Sequence, residues 1–304
     1  MKLRRFRSFA KINLGLEVAG QFGDGYHELK TLFATLSLHD IVGITETSSG
    51  VTVRSGHPDV PNDQTNLAHR AAVLMRRISG RRTGVRIDVR KRIAVGGGLG
   101  GGSSNAATVL RALDLMWELG LGRDGLLEAA KTLGADVPYF LLGGPALGLG
   151  RGDDIHTLDI RLQDKVLLVP GDGGVGTAAV FRRYAAHPGN SSAPSRIDAF
   201  LRTLKDDRRP KALRSLRNDL ERAAMDESPS LSAIARRVRS VGRSTGAIHT
   251  AMSGSGSSFF LLFDEATARR AAAGALRELG LPSVRCSFVS RLDYARRFEI
   301  KSRA

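Results

Sequence analysis

The sequence predicts an α+β fold built as two domains, and three features lead to this prediction. Segments rich in β-branched residues alternate with segments of helical periodicity along the chain. In the first half, a long glycine run at residues 95–105 stands directly before one of the helical segments. The chain has 304 residues, of which 42% are hydrophobic, so it can bury a sizeable core, and its length suits two domains or one large one. We therefore expect one domain at residues 1–160 and a second at residues 161–304.

In the first domain, runs of β-branched residues bounded by Gly, Ser or Pro predict strands. These runs cover residues 9–18, 41–46, 51–55 and 85–90. Apolar residues at helical spacing predict helices. These helices cover residues 66–78, 108–119 and 125–133. The elements form a mixed domain around the glycine run.

The second domain is predicted to begin with a strand at residues 166–169, after which helices and strands alternate. The predicted helices cover residues 178–184, 198–204, 231–241 and 266–279. The predicted strands cover residues 258–263 and 284–290. Residues 291–304 are rich in arginine, and we expect a solvated end there.

The glycine run has the properties of an anion-binding loop. Glycine adopts positive φ easily and lets the backbone approach a phosphate without a Cβ atom in the way. The helix that follows directs free N–H groups and the positive end of its dipole at the same place. Ser103, Ser104 and Asn105 add side-chain donors where the helix begins. A flexible linker is the alternative, but linkers rarely run directly into an apolar-periodic helix.

Two common phosphate-loop motifs do not fit this run. A Walker A loop has a lysine after its last glycine, and here Ser103 follows Gly102. A dinucleotide-binding loop needs an acidic residue about 20 residues later, at the end of the next strand. Glu118 and Asp124 lie near that distance, but in a predicted helix and a predicted loop. We therefore infer a nucleotide loop of another type.

The formal net charge of +16 raises the question of nucleic-acid binding. The basic residues are spread along the chain, and between residues 196 and 243 they are interleaved with acidic ones. Aromatic residues make up only 6% of the chain and form no stacking platform. We therefore expect no nucleic-acid partner, and a positive field that attracts substrates carrying phosphate groups.

Cys286 is the only cysteine, which excludes intrachain disulfides and a cysteine-rich metal site and suits a reducing compartment. The basic N-terminus lacks the apolar region of a signal peptide. No apolar run approaches the roughly 20 residues of a membrane span. We expect a cytoplasmic protein with no membrane partner. The sequence leaves open the metal ligands and the oligomeric state, monomer or homodimer.

Four blocks of the sequence together resemble the GHMP kinases, a superfamily of small-molecule kinases. The blocks are the glycine run, Ser8-Phe-Ala-Lys-Ile-Asn-Leu-Gly-Leu16 with the following Asp24-Gly-Tyr-His27 and Thr31-Leu-Phe33, Gly134-Ala-Asp-Val-Pro138, and Ser253-Gly-Ser-Gly-Ser257. They occur in the family's order and span most of the chain. The resemblance implies an ATP-dependent kinase, with Mg²⁺ accompanying ATP. It also implies an N-terminal ribosomal protein S5 domain 2-like domain and a C-terminal ferredoxin-like domain.

The resemblance implies that Lys11 and Asp136 are catalytic. The matching aspartate of the family accepts the proton of the substrate hydroxyl, and the matching lysine lies beside it. An ammonium in that place also stabilises charge on the transferred phosphoryl group. From the local sequence alone, a turn residue that binds nearby N–H groups is the more common use of such an aspartate. Asn13 shares a strand face with Lys11 and would hydrogen-bond the substrate.

A small-molecule cytidine diphosphate substrate is the acceptor that the resemblance implies. Tyr26 would stack on the cytosine ring, His27 would hydrogen-bond its edge, and Phe181 would cover the opposite face. Stacking of this kind is worth about 1–3 kcal/mol per base in nucleic-acid complexes. Phe33 is a weaker candidate for the same pocket. Without the resemblance, the Asp-Gly pair before Tyr26 would indicate a hairpin turn, and Phe181 a core residue.

The whole glycine run would contact ATP, and so would Asn66 at a helix start, where an N-cap role explains the residue equally well. The residues of the run are Val95, Gly96, Gly97, Gly98, Leu99, Gly100, Gly101, Gly102, Ser103, Ser104 and Asn105. A second loop, Ser253, Gly254, Ser255 and Gly256, would direct backbone N–H groups at the phosphates or at the acceptor alcohol.

The predicted function is phosphoryl transfer from ATP to a hydroxyl of a cytidine diphosphate derivative in isoprenoid precursor biosynthesis. Another GHMP kinase, for homoserine or mevalonate, is the alternative. Tyr26, His27 and Phe181 argue against it, because those substrates have no base to stack. A non-catalytic nucleotide- or nucleic-acid-binding protein is a third interpretation, and the presence of both Lys11 and Asp136 argues against that one.

Overall fold

A computed structural model describes residues 3–171, 173, 175–188, 194–203 and 213–301 of the chain. Its strands are β1 (Arg4–Gln21), β2 (His27–Thr47), β3 (Val51–Ser55), β4 (Gly84–Arg90), β5 (Ala146–Leu149), β6 (Asp154–Thr157), β7 (Lys165–Val169), β8 (His249–Met252), β9 (Phe259–Phe263) and β10 (Val284–Cys286). Its helices are α1 (Leu67–Ser79), α2 (Gly101–Trp117), α3 (Gly122–Lys131), α4 (Tyr139–Leu142), α5 (Thr177–Ala186), α6 (Arg196–Thr203), α7 (Leu220–Glu227), α8 (Pro229–Ser244), α9 (Ala266–Glu278) and α10 (Arg291–Arg296).

The first sheet has the strand order β3-β4-β2-β5-β6, and β1 pairs with β2 along most of its length. β3 and β4 are parallel, and the other neighbours are antiparallel. Helices α1 and α2 cover one face of this sheet. Met75, Leu110 and Trp117 from these helices pack with Ile44 and Val85 from the strands. This apolar core supports α2, the helix that follows the glycine run.

The second sheet has the strand order β10-β7-β9-β8, and all of its neighbours are antiparallel. Helices lie between β7 and β8 in the chain, β8 leads directly to β9, and α9 connects β9 to β10. This βαββαβ order with these neighbours is the ferredoxin-like arrangement that the resemblance to the GHMP kinases implies. The α+β fold class is therefore confirmed.

The two sheets face each other across a shared apolar layer. Ile12, Leu14 and Leu32 from the first sheet pack there with Val166 and Leu168 from the second, among other residues. Ile12 and Leu14 thus lie on the core face of β1, as the alternation of that strand predicts. The domain boundary near residue 160 stays a prediction; β6 ends at residue 157 and β7 begins at residue 165.

Several elements differ from the sequence prediction in their bounds. β2 begins at residue 27, although only residues 41–46 are predicted as a strand. Residues 31–36 are all buried, so this part of β2 shows no polar alternation. α2 begins at residue 101 instead of 108, because neighbouring contacts outweigh the weak helix propensity of glycine and serine. The short strands β5, β6 and β8 carry too few residues to predict.

The C-terminal segment, residues 287–301, is packed against the first sheet, so the prediction of a solvated end is wrong for residues 291–301. Residues 302–304, which the prediction also covers, lie outside the described residues. Tyr294 on α10 is buried, and its ring centroid lies 5.2 Å from that of Phe9. The ring of Phe298 lies 5.0 Å from that of Phe6. The amide of Ile300 donates to the carbonyl of Arg5 at 2.8 Å. The many charged residues of this segment indicated exposure to solvent, although the segment also carries apolar residues that are buried.

No helix in the described ranges combines the length and the apolar composition needed to cross a membrane.

Candidate active site

Lys11 and Asn13 lie on β1, and both are buried, with exposed fractions of 4% and 3%. The pairing register between β1 and β2 shifts on each side of them, between Phe9 and Lys11 and between Asn13 and Gly15. Such bulges re-aim side chains out of the regular alternation of a strand. The amide of Lys11 donates to the carbonyl of Leu99 in the glycine run at 3.1 Å. These two residues therefore lie beside the loop and do not form a solvated strand face.

The Lys11 ammonium is held between two oxygen partners. Nζ donates to Oδ1 of Asn13 at 2.8 Å and lies 3.4 Å from Oδ2 of Asp136. Asn13 donates in turn through Nδ2 to Oγ1 of Thr31 at 2.7 Å. The ring centroid of Phe33 is 5.3 Å from Nζ, within the range of a cation–π contact. Neighbours on β1 and β2 and in the turn of Asp136 thus fix the ammonium in one place.

Asp136 lies in the turn between α3 and α4, and its carboxylate is 37% exposed. Within the described residues, no backbone N–H donates to this carboxylate, and Lys11 is its ionic partner. The turn is held instead by Tyr139, whose hydroxyl lies 2.7 Å from Oγ1 of Thr35 and donates to the carbonyl of Gly144 at 2.8 Å. An accessible carboxylate beside a buried ammonium can accept a proton from a ligand. A turn residue would instead use its carboxylate to bind the backbone N–H groups of its own turn.

The glycine run lines a groove with a volume of about 330 Å³. α2 begins inside the run, and its N-cap, Gly100, has a φ of 68° and no side chain to cap the helix. The first N–H groups of α2 are therefore available to a ligand, together with the positive end of the helix dipole. The geometry is that of an anion-binding helix start.

Ser104 and Asn105 are both buried, Ser104 outside the lining of this groove and Asn105 as part of it. Oγ of Ser8 donates to Oγ of Ser104 at 2.7 Å, and Nδ2 of Asn105 donates to Ser8 at 2.8 Å and to Asp40 at 3.1 Å. The predicted contacts of both residues with ATP stay predictions. In the structure, Nδ2 of Asn105 already has partners inside the domain. Asn66 lines the groove and caps α1, with Oδ1 accepting from the amide of Ala68 at 2.9 Å. Its N-cap role is confirmed, and its contact with adenine stays a prediction.

The second loop, residues 253–257, lies directly against the glycine run. Oγ of Ser253 donates to the carbonyl of Gly98 at 2.9 Å and accepts from the amide of Asn13 at 3.2 Å. The amide of Ser258 donates to the carbonyl of Gly97 at 3.2 Å. Oγ of Ser255 lies 2.9 Å from Oγ1 of Thr177 at the start of α5. The structure thus brings both loops together with Asn13, as the predicted site requires.

Gly98→Ala is expected to weaken ATP binding severely and to destabilise the protein. Gly98 has a φ of 74°, and a Cβ atom there would lie 2.1 Å from the carbonyl oxygen of Ser253. Left-handed backbone costs about 1–2 kcal/mol for a residue with a side chain, and here the loop must also move to relieve the overlap. The measurement is the dissociation constant for ATP together with the melting temperature.

Gly80→Ala is the matched control for this variant. Gly80 ends α1 with a φ of 65°, but a Cβ atom there would meet nothing within 4 Å. It therefore introduces the backbone strain without the overlap, and it lies outside the groove. Equal effects of the two variants on ATP binding would contradict the steric argument.

The residues of the predicted cytidine subsite lie around the turn between β1 and β2. His27 packs against Phe181 with ring centroids 5.1 Å apart, and the ring centroid of Tyr184 lies 6.0 Å from that of His27. Tyr26 is 59% exposed, and the guanidinium of Arg151 lies 4.2 Å from its ring centroid. The structure therefore brings His27 and Phe181 together, and Arg151 covers one face of the Tyr26 ring. The sandwich of cytosine between Tyr26 and Phe181 stays a prediction.

Phe33 does not line this subsite in the structure. Its side chain is 1% exposed, and its ring lies 4.6 Å from that of Tyr139. Phe33 is thus placed beneath Lys11 and next to the turn of Asp136, where it supports both. The physical reason is that the β2 register directs this side chain into the core of the first domain.

Comparison with known proteins identifies the family. The profile described as GHMP kinases N terminal domain matches residues 66–144, and that described as GHMP kinases C terminal matches residues 198–280. The chain is 37% identical to a 4-diphosphocytidyl-2-C-methyl-D-erythritol kinase of Pseudarthrobacter chlorophenolicus, covering 92% of this chain and 91% of that relative. It is 38% identical to one of Thermobifida fusca, covering 89% of this chain and 90% of that relative.

The chain belongs to the 4-diphosphocytidyl-2-C-methyl-D-erythritol kinases of the GHMP superfamily. A crystal structure of 4-(cytidine 5'-diphospho)-2C-methyl-D-erythritol kinase is similar to this kinase with a TM-score of 0.77 and 37% identity. The match covers 93% of this chain and 98% of that one. Mevalonate kinase from L. major shares the fold with a TM-score of 0.71 at 15% identity, covering 94% of this chain and 96% of that one.

Sequence reasoning missed four residues of this kinase that contact predicted site residues. Asp40 is buried behind the glycine run, and Lys91 pairs with it and lines the groove. Asn218 binds the second loop, and Arg151 covers Tyr26. Asn218 donates through Nδ2 to the carbonyls of Met252 at 3.0 Å and Gly254 at 2.7 Å. None of the four stands in a local pattern that indicates its partner, because every contact joins distant parts of the chain.

No cluster of three or more His, Cys, Asp or Glu residues that could hold a metal ion occurs in the part of the chain that the structure describes. Asp59 lines the groove with a side chain that is 75% exposed, and Asp136 beside Lys11 is 37% exposed, so both carboxylates are accessible to a cation brought in by a ligand.

Proposed function

We propose that this protein transfers the γ-phosphoryl group of ATP to the 2-hydroxyl of 4-diphosphocytidyl-2-C-methyl-D-erythritol. The observation that carries the proposal is the Lys11–Asp136 pair, 3.4 Å apart, beside the groove lined by the glycine run. Relatives that bear the name of this activity are 34–39% identical to the chain over 84–92% of its length, which supports the choice of acceptor.

The reaction would begin with ATP in the groove, its phosphates on the N–H groups of the glycine run and the start of α2. Asp136 accepts the proton of the acceptor hydroxyl while the hydroxyl oxygen attacks the γ-phosphorus and ADP leaves. Lys11 stabilises the negative charge on the transferred group from its fixed position beside Asn13. Phosphoryl transfer of this kind depends mainly on positioning and electrostatics. Asn13 and the second loop hold the acceptor alcohol in place during the transfer.

Mg²⁺ would accompany ATP, and when bound it neutralises phosphate charge. The described residues offer no preformed metal site, so we propose that the ion arrives with the nucleotide, and that Asp59 in the groove and Asp136 beside Lys11 are the carboxylates accessible to it. The proposal also keeps the cytoplasm as the compartment, which the single, buried cysteine supports. Nucleic acid is not a proposed partner.

A coupled assay of ADP release tests the proposed function. Purified protein is given ATP with the cytidine diphosphate substrate, with mevalonate or with homoserine. We expect turnover with the first and none with the other two, because Tyr26, His27 and Phe181 recognise a base that the other two lack. Turnover with mevalonate or homoserine alone would show that the protein is a GHMP kinase of another specificity.

Binding of the cytidine substrate is expected to weaken below pH 6.5. Burial lowers the pKa of His27 from its ordinary value of 6.5, so the ring is neutral at pH 7. A cytosine ring placed against it would bury it further and lower the pKa again. Protons therefore compete with the substrate as the pH falls through the His27 pKa, and the KM for the acceptor rises. The measurement is that KM from pH 5 to pH 8.

The control is His27→Gln, which keeps a hydrogen-bonding side chain that does not titrate. It should have a higher but nearly constant acceptor KM over the same range. The KM for ATP is measured in parallel, because the phosphates of ATP titrate in a similar range. An unchanged pH dependence in His27→Gln would assign the effect to another group.

A further inference from the structure

Asp40 is a fully buried carboxylate on β2, behind the glycine run, and four donors converge on it. Oδ1 accepts from the backbone amides of Arg92 at 2.7 Å and Ile93 at 2.9 Å. Oδ2 accepts from Nζ of Lys91 at 2.5 Å and from Nδ2 of Asn105 at 3.1 Å. A carboxylate with this many donors is held firmly in one position.

The four donors come from both ends of the nucleotide loop. Lys91, Arg92 and Ile93 lie just before the glycine run, and Asn105 is its last residue. A chain of this length that is rich in glycine has high conformational entropy when its ends are free. One buried carboxylate therefore joins the two ends and reduces the conformations that the loop can adopt between them.

The charge of Asp40 has a second effect on this loop. Lys91 is 6% exposed, and a Cβ atom on Gly101 would lie 2.9 Å from its Nζ, so the ammonium lies against the first residue of α2. A positive charge at that end of a helix is unfavourable, because the helix dipole is positive there. Asp40 supplies the opposite charge that permits Lys91 to occupy this position.

We propose that Asp40 is the positioning residue of the ATP loop. It holds the start and the end of the loop in the geometry that binds the nucleotide, without touching the nucleotide, since its side chain has no exposed surface. The proposal rests on the ATP-dependent function proposed above, and it assigns to loop preorganisation a part of the affinity for ATP. It concerns ATP and not the acceptor, whose subsite lies around His27.

The test replaces Asp40 with asparagine, which has nearly the same shape but cannot accept from four donors. The dissociation constant for ATP, measured by calorimetry with the nucleotide alone, is expected to rise about tenfold or more, the effect of losing charge-assisted hydrogen bonds. The KM for the acceptor and kcat should change far less, because Lys11, Asp136 and His27 are untouched. Hydrogen exchange should be faster at the amides of residues 92–105 than in the unchanged protein.

Glu17→Gln is the matched control. The Glu17 carboxylate likewise accepts from two consecutive backbone amides, those of Arg196 at 2.7 Å and Ile197 at 3.0 Å, and from Oγ of Ser195 at 2.7 Å. It joins α6 to β1, away from the groove. This variant should lose stability comparably while its ATP affinity and the exchange at residues 92–105 stay unchanged. An equal rise of the dissociation constant for ATP in both variants would overturn the proposal, because it would show that Asp40 acts only through the overall stability of the protein.

A second variant covers the case in which Asp40→Asn leaves Lys91 unpaired and the protein does not fold. Asp40→Asn with Lys91→Met removes both charges together, and its reference is Lys91→Met alone. The double variant should bind ATP about tenfold more weakly than that reference, because the amide oxygen of asparagine can accept from only two of the three remaining donors and lacks the negative charge that strengthens those bonds. Equal affinities, or a double variant that does not fold, would overturn the proposal. Binding of ATP without acceptor turnover would refute the proposed function but leave this inference intact.

Discussion

Replacing Asp136 with asparagine is expected to lower kcat by about 10²–10⁴-fold, which is the contribution of a positioned general base. Asparagine keeps the shape of the side chain but cannot accept the proton of the acceptor hydroxyl. The fold should be unaffected, because the carboxylate is 37% exposed and contacts Lys11 at 3.4 Å without binding a backbone amide. Lys11 also keeps its hydrogen bond to Asn13 at 2.8 Å. The measurement is steady-state ADP release at saturating ATP and acceptor.

Glu128→Gln is the control for the loss of one negative charge from the first domain. Glu128 is exposed on α3 and pairs with Lys131 at 2.8 Å, outside the groove. Its kcat should equal that of the unchanged protein within error. The KM values for ATP and acceptor should stay close to normal in Asp136→Asn, since the residue acts on the transferred proton. Full activity of Asp136→Asn would remove the general base from the proposed mechanism.

The groove shows what local sequence can predict. A glycine run before an apolar-periodic helix indicates an anion-binding loop because the backbone itself does the binding, and backbone properties are readable from residue type. The alternation of β1 likewise places Lys11 and Asn13 opposite Ile12 and Leu14. The structure agrees on both points, and adds that bulges on either side of Lys11 and Asn13 bury them.

The pairing of Lys11 with Asp136 could be predicted only from the resemblance. The two residues lie far apart in the chain, and neither stands in a pattern that names its partner. Asp40 was not predicted at all. It lies in an ordinary strand segment, Leu38-His-Asp40, and its proposed role depends on donors from the residues that follow β4 and from α2. Residues that act through distant partners leave no periodic signal, so sequence reasoning finds loops more readily than the groups that hold them.

The prediction for the C-terminus failed for a different reason. Charge composition indicated a solvated end, but Tyr294 and Phe298 lie four residues apart and therefore on one side of the chain where it is helical or turning. Composition averages over residues and does not register such a pair. The backbone of residues 298–300 also binds β1, with Arg7 donating to the carbonyl of Phe298 at 2.8 Å. This segment covers the edge of β1, which would otherwise present free backbone groups.

Removal of residues 291–304 is accordingly expected to prevent stable folding. Tyr294 is buried against Phe9, and its hydroxyl donates to the carbonyl of Phe140 on α4. Burial raises the pKa of Tyr294 above its usual value, so the hydroxyl stays protonated as a donor. Gly143 leaves room for the ring, because a Cβ atom there would lie 2.4 Å from it. The segment thus completes the part of the first domain that carries Asp136.

Tyr294→Ala should destabilise the protein by about 3–5 kcal/mol, the usual cost of removing a large buried aromatic side chain. Total stabilities of domains are only about 5–15 kcal/mol, so this one change removes a large part of the margin, and truncation removes more. Tyr294→Phe should cost less, about 1–3 kcal/mol, because it leaves only the carbonyl of Phe140 without its donor. Urea unfolding followed by circular dichroism measures all three proteins.

Leu292→Ala is the control for Tyr294→Ala, because it also removes a large side chain from α10, but one that is 59% exposed instead of buried. It should change the free energy of unfolding by less than about 0.5 kcal/mol.

In Tyr294→Phe, kcat should fall along with stability, because the carbonyl of Phe140 on α4 loses its donor and α4 directly follows the turn of Asp136. A truncated protein with the normal unfolding midpoint would contradict the packing argument, because it would show that the first domain is complete without the C-terminal segment.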